Sequence, residues 1–156
     1  MTSKTHLQIK RPRGCGILAM ASVTLVWMAW LVDDWRRDFT TNTAATDPAA
    51  EHPDQRPLRV DRLAEQVAEA VREWAEQRPR WKVEQQEDTE GGIRIHLTRR
   101  TRIFRFTDDI HVTIRREPDS GETTLTVHSQ SRVGKGDLGQ NPRNIRDLVR
   151  GVRERM

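Results

Sequence analysis

The alternation of apolar and polar positions divides the chain into three regimes. Residues 14–32 form an uncharged run of 19 positions, apolar almost throughout from Ile17 to Val32. As a helix rising about 1.5 Å per residue, it falls just short of the roughly 30 Å of bilayer hydrocarbon, a short but workable span. Thr40 to Pro57 contains no large apolar residue and three prolines. Such a stretch buries too little surface to offset its ordering entropy, which predicts an extended tether with His52 in solvent. From Leu58 onward the pattern becomes periodic.

Leu63, Val67, Ala70, Val71 and Trp74 recur at helical spacing, with Asp61 placed to cap the start and Arg78-Pro79 to stop the helix. The period then switches to two. Trp81 and Val83 alternate with charged neighbours, followed by a turn at Asp88 to Gly92. Ile93, Ile95 and Leu97, then Ile110, Val112 and Ile114, then Leu125 and Val127 continue the alternation, with a second turn at Pro118 to Gly121. Strands with one apolar and one polar face predict an antiparallel meander covered on one side. Asn141-Pro142 offers a cap and a first-turn proline for a closing helix. That helix turns Ile145, Leu148, Val149 and Val152 inward and Arg143, Arg146, Arg150 and Arg153 outward. The expected fold class is α+β: an N-terminal transmembrane helix, then a two-layer domain of helix, about four antiparallel strands, and helix. The expected boundaries are a cytoplasmic N-terminus at 1–13, the transmembrane helix at 14–32, a flexible linker at 33–57 and the globular domain at 58–156.

Composition supports one modest domain: 156 residues, 35% apolar and 32% charged. Cys15 is the single cysteine, so no intrachain disulfide can form. Charge orients the apolar run. Lys4, Lys10, Arg11 and Arg13 precede it, whereas Arg36 and Arg37 after it are diluted by Asp33, Asp34 and Asp38. Trp27, Trp30 and Trp35 crowd its far end, where indoles favour the headgroup layer. The expected location is the cytoplasmic (inner) membrane, single-pass, with the N-terminus inside and the C-terminal domain periplasmic or otherwise extracytoplasmic. A cleavable signal peptide fits poorly, because Trp30 to Trp35 is bulky and charged where small residues are needed. A lipoprotein would carry its cysteine after the run, and Cys15 precedes it.

Three constellations are candidates for chemistry. A simple turn at Pro118 to Gly121 places His111 opposite His128 on the polar face, close enough for a shared metal but without a third ligand. Two half-exposed histidines are the commoner outcome, and no metal and no cofactor is expected. Gly134-Lys135-Gly136-Asp137-Leu138-Gly139 matches a dinucleotide fingerprint literally, yet lacks the following parallel strand and the acidic residue about 20 positions on. What survives is an anion site built from Arg132, Gly134, Lys135, Gly136 and Arg143 at a helix start. The alternative is a glycine-permitted turn in which Arg132 pairs with Asp108, Asp109 or Asp137. Arginines along the strands do not indicate nucleic acid, since acids are interleaved and tyrosine is absent. Asp108-Asp109 is expected at a turn.

Phe104 to Val112, with its aspartate pair, and Val127 to Ile145, with Ser131-Arg-Val-Gly-Lys-Gly-Asp-Leu-Gly-Gln-Asn141, resemble the bacterial and plastid family called domain of unknown function 1499. The resemblance covers roughly Leu58 to Arg150. It implies a signature on Asp108, Asp109, Ser131, Arg132, Gly134, Asp137, Gly139 and Asn141, a frequent attachment to membranes, and no established activity. Gly136 stands where the family usually has serine, and the family's proline and cysteine motif before the first helix is missing. The expected function is a membrane-anchored extracytoplasmic module for binding or envelope association rather than catalysis. Its expected partners are membrane lipid through residues 14–32 and an anionic lipid or envelope protein. The alternative is an anionic small-molecule binding protein or hydrolase using the Arg132–Arg143 loop.

Overall fold

The computed structural model describes residues 41–102, 105–134 and 137–156. The elements run β1 (Thr43–Ala45), a 3-10 turn (Pro53–Gln55), β2 (Leu58–Val60), α1 (Ala64–Glu76), β3 (Trp81–Thr89), β4 (Gly92–Arg100), β5 (Thr107–Arg116), β6 (Thr123–Ser131) and α2 (Gln140–Arg153). Strands β3 to β6 form the meander, and β1 and β2 pair with the free edge of β6, so the sheet has six strands in the order β1-β6-β5-β4-β3 with β2 also on β6. Every pairing is antiparallel.

This corrects the expected fold of about four strands. Part of the expected flexible linker is a sheet edge: Thr43 pairs with Gln130 and Ala45 with His128. Low hydrophobicity did not prevent this, because an edge strand gains backbone hydrogen bonds from its neighbour and needs little side-chain burial. The same segment carries buried Asp54, paired with Arg153 of α2. His52 is exposed, and its Nδ1 accepts the Asp54 N–H. The transmembrane helix expected at 14–32 lies outside the described residues. Among those residues no helix is long and apolar enough to cross a membrane.

Both helices cover one face of the sheet. The core joins Val67, Val71 and Trp74 of α1 and Ile145, Leu148, Val149 and Val152 of α2 to Ile95, Leu97, Ile110, Val112, Ile114, Leu125 and Val127. Leu63 departs from its expected inward place. It is the N-cap of α1 and 51% exposed, and Gln66 Oε1, not Asp61, accepts the backbone N–H there. Where the helices cross, a Cβ added to Gly151 would overlap the Trp74 indole, so only glycine permits that approach. The other face of the sheet carries His96, Thr98, Asp109, His111, Thr126 and His128.

Candidate functional site

The aspartate pair sits inside β5, not at a turn, so its members point to opposite faces of the sheet. Asp108 faces the helices and is 1% exposed. Its Oδ1 accepts from Ser131 Oγ at 2.7 Å and its Oδ2 from Asn144 Nδ2 at 2.9 Å. The Asn144 amide also donates to Ser129 Oγ at 3.0 Å, Ser129 Oγ donates to Asn141 Oδ1 at 2.6 Å, and Asn141 Nδ2 donates to Ser131 Oγ at 3.1 Å. The circuit closes on itself with each proton assigned one direction. Arg99 Nη1 lies 2.5 Å from Asn144 Oδ1 and 3.2 Å from Asp147, bringing a positive charge to the same end. Burial pushes the Asp108 carboxyl above its usual range, against the pull of the Asn144 and Ser131 hydrogen bonds.

The loop after β6 is tied into this circuit. Asp137 accepts the N–H of Gly139 at 2.9 Å and of Asn141 at 2.6 Å, taking the capping role expected of Asn141. Gly139 is the N-cap, with a left-handed φ of 73°. The Asn141 side chain is thereby released into the buried circuit, and its amide also reaches the Asn42 carbonyl at 2.7 Å.

Asp109 occupies the open face. Arg132 grips it with two bonds, Nε to Oδ2 and Nη2 to Oδ1, both at 2.7 Å, and His96 Nε2 lies 2.8 Å from Oδ1. The Arg132 bonds, aided by His96, hold the Asp109 carboxyl down at about 2. His96 faces His111 across β4 and β5, and His111 faces His128 across β5 and β6. The first pair stacks at 4.7 Å and 13°, and the second is tilted at 6.5 Å. Parallel stacking sets the ring nitrogens side by side instead of converging them on one point, and Thr43 Oγ1 takes up His128 Nε2 at 3.0 Å. Burial, then the neighbouring His96, pushes His111 below its ordinary value. Among the described residues no group of three or more histidines, cysteines or carboxylates is arranged to hold a metal.

Beside Asp109 the open face deepens into a cavity of about 670 Å³. Six cations line it: Arg80, Lys82, Arg100, Arg102, Arg105 and Arg132. The lining acid Glu84 lies at a β-bulge between Val83 and Gln85. It is held by Lys82 Nζ at 2.5 Å and Thr98 Oγ1 at 2.8 Å, which lower its pKa and make it a poor base. Arg105 stands on the rim with a left-handed φ of 55°, a conformation costly for a side chain of its kind.

The structure therefore distributes the expected site residues. Arg132 lines the cavity and pairs with Asp109, Gly134 accepts at its carbonyl from Asn42 Nδ2 at 2.9 Å, and Arg143 Nη2 donates to the Leu138 carbonyl at 2.8 Å. Lys135 and Gly136 lie outside the described residues. Sequence reasoning missed His96 as the neighbour of His111, because the register of β4 on β5 depends on how the 101–106 connection folds. It also missed Asn144 and Ser129, and the cavity arginines, which come from three separate segments. The alternation of Ser129 and Ser131 with apolar residues on the inward side of β6 was the available signal for a polar patch under α2.

An antiparallel sheet with two helices on one face and a buried Asp-Ser-Asn circuit defines the class. The family model described as Protein of unknown function (DUF1499) matches residues 34–152, and the chain belongs to that family. Its match begins within the segment expected to be linker, as the edge strands require. Among solved structures, the chain is similar to DR_A0006 from Deinococcus radiodurans at 15% identity, with 72% of this chain and 96% of that one covered and a TM-score of 0.39. A search of curated proteins finds no match.

Proposed function

We propose that the domain binds an anionic small molecule or headgroup in the cavity on its open face. The observation that carries this is the set of six cations around a cavity whose one lining carboxylate is already neutralised. Two of the six are answered by carboxylates, Lys82 by Glu84 and Arg132 by Asp109. The other four, Arg80, Arg100, Arg102 and Arg105, repel one another, and an anion between them relieves that repulsion while accepting several charge-assisted hydrogen bonds. Binding is favoured over hydrolysis because the Lys82 and Thr98 hydrogen bonds lower the pKa of Glu84, the lining carboxylate, which leaves it a weak general base and no general acid. Localisation at the cytoplasmic membrane, with residues 14–32 in lipid and the domain outside, belongs to the same proposal and rests on the charge asymmetry around that run. A functional alkaline phosphatase fused after Met156 is expected; an expressed but inactive fusion overturns that orientation.

The test of the binding reading is thermal stabilisation of the full chain in detergent by glycerol phosphate and inorganic phosphate. Arg105→Gly is the informative variant, since glycine relieves the left-handed backbone while deleting the charge. We expect it to weaken the ligand-induced shift without lowering the Tm of the free protein. No shift in the parent chain overturns the reading.

A further inference from the structure

We propose that the anion bound in the cavity is the phosphate headgroup of an anionic phospholipid, the domain docking end-on against a membrane surface through Phe106 and Val133. This rests on the anion-binding reading above. Among the described residues the large apolar side chains left exposed are Leu63, Phe106 and Val133. Phe106 is 43% exposed and Val133 55%, and they lie at one end of the sheet. The Arg132 N–H donates to the Thr107 carbonyl at 3.0 Å, which sets the loop carrying Val133 beside the one carrying Phe106. Arg105 precedes Phe106, Arg132 precedes Val133, and both arginines line the cavity. Apolar tips that each follow in sequence a cation lining a basic cavity match the membrane interface, where acyl chains lie directly beneath phosphates. A soluble phosphate ester offers nothing to the two apolar tips.

The path of the chain points to the same end. The Asn42 carbonyl accepts the Ser131 N–H at 2.9 Å and its side chain reaches the Gly134 carbonyl, so the chain enters the domain beside Val133. Nine residues, 33–41, separate Asn42 from the last position of the uncharged run. Fully extended, that link reaches about 35 Å. A bilayer holding residues 14–32 therefore has the cavity end of the domain within the reach of a short link.

The experiment uses the full chain with Cys15→Ser and Val133→Cys, labelled with an environment-sensitive fluorophore and reconstituted in nanodiscs. Discs of phosphatidylcholine alone are compared with discs of equal parts phosphatidylcholine and phosphatidylglycerol. Blue-shifted emission is expected in the anionic discs only. The docked-to-undocked ratio should fall about fivefold for each of Arg100→Ala and Arg105→Gly. The same label at Leu63→Cys is expected to stay unshifted, since Arg62 beside it binds Thr123, at the opposite end of β6 from Ser131. Thermal stabilisation by glycerol phosphate without a lipid-dependent shift at Val133 overturns the docking proposal and leaves the anion site standing. A shift of equal size at Leu63 also overturns docking, and silence to both probes overturns both readings.

Discussion

Asp108 and Asp109 are neighbours in sequence and opposites in physics. Asp108 is sealed beneath α2, answered by neutral donors, and its pKa is raised by burial. Asp109 stands on the open face, answered by a guanidinium, and its pKa is driven down to about 2. The pleat of β5 is the whole cause of the difference. It sends one carboxylate into a low-dielectric interior and the next into a wet, cationic surface. The lesson is that one half of a sequence signature can hold the fold together while the adjacent half stands on the open face, paired with an arginine that lines the cavity.

The sharpest way to break the inner half is Asp108→Ala. It strands the Ser131 hydroxyl and one of the two Asn144 amide N–H groups without an acceptor, and we expect a loss of about 2–4 kcal/mol, read as a lowered urea midpoint. Asn141→Ser comes next. Serine is a good cap, so if capping were the role of Asn141 the change would be silent. Because its amide instead bridges Ser131 and the Asn42 carbonyl, a loss of about 1–2 kcal/mol is expected, and a neutral outcome would argue against the circuit.

Acid titration separates the two carboxylates by sign. Asp109 has a depressed folded pKa, so its contribution is present above the unfolded value near 3.8 and is lost as pH falls toward about 2. Asp108 has a raised folded pKa, so the folded state takes up its proton first and gains stability as pH falls through that higher value. Urea midpoints between about pH 4 and pH 2 should therefore fall less steeply in Asp109→Asn than in the parent. The smallest effect is expected for Asp109→Asn at neutral pH, about 1 kcal/mol or less, because its partner Arg132 is exposed and solvent screens much of the stabilisation that the lowered Asp109 pKa implies. A loss as large as that of Asp108→Ala would erase the distinction between the two faces.

Much of the domain was legible in the residues. The four meander strands, the His111 to His128 register and the inward faces of both helices follow from periodicity, and Ser131 to Asn141 carries the family. Less legible was anything that depends on backbone pairing between distant segments. Thr43 to Ala45 has the composition of a tether and becomes a strand because β6 presents an unpaired edge. Asn141 has the chemistry of a helix cap and gives up that role because Asp137 reaches the amides first.

The sequence by itself determined which segments could bury apolar surface, since a side-chain period of two or of 3.6 is a local property that needs no partner. It also determined the family and the presence of an uncharged run at 14–32. Only the tertiary structure decided what the polar residues do. Arg80, Arg100, Arg105 and Arg132 are scattered along the chain and meet at one cavity through the register of β3, β4 and β5. Asp108, Ser129, Ser131, Asn141 and Asn144 close a circuit only when α2 lies across β5 and β6. Hydrogen bonds and ion pairs act over a few ångströms in space, and no spacing along a chain encodes those distances until the sheet is assembled.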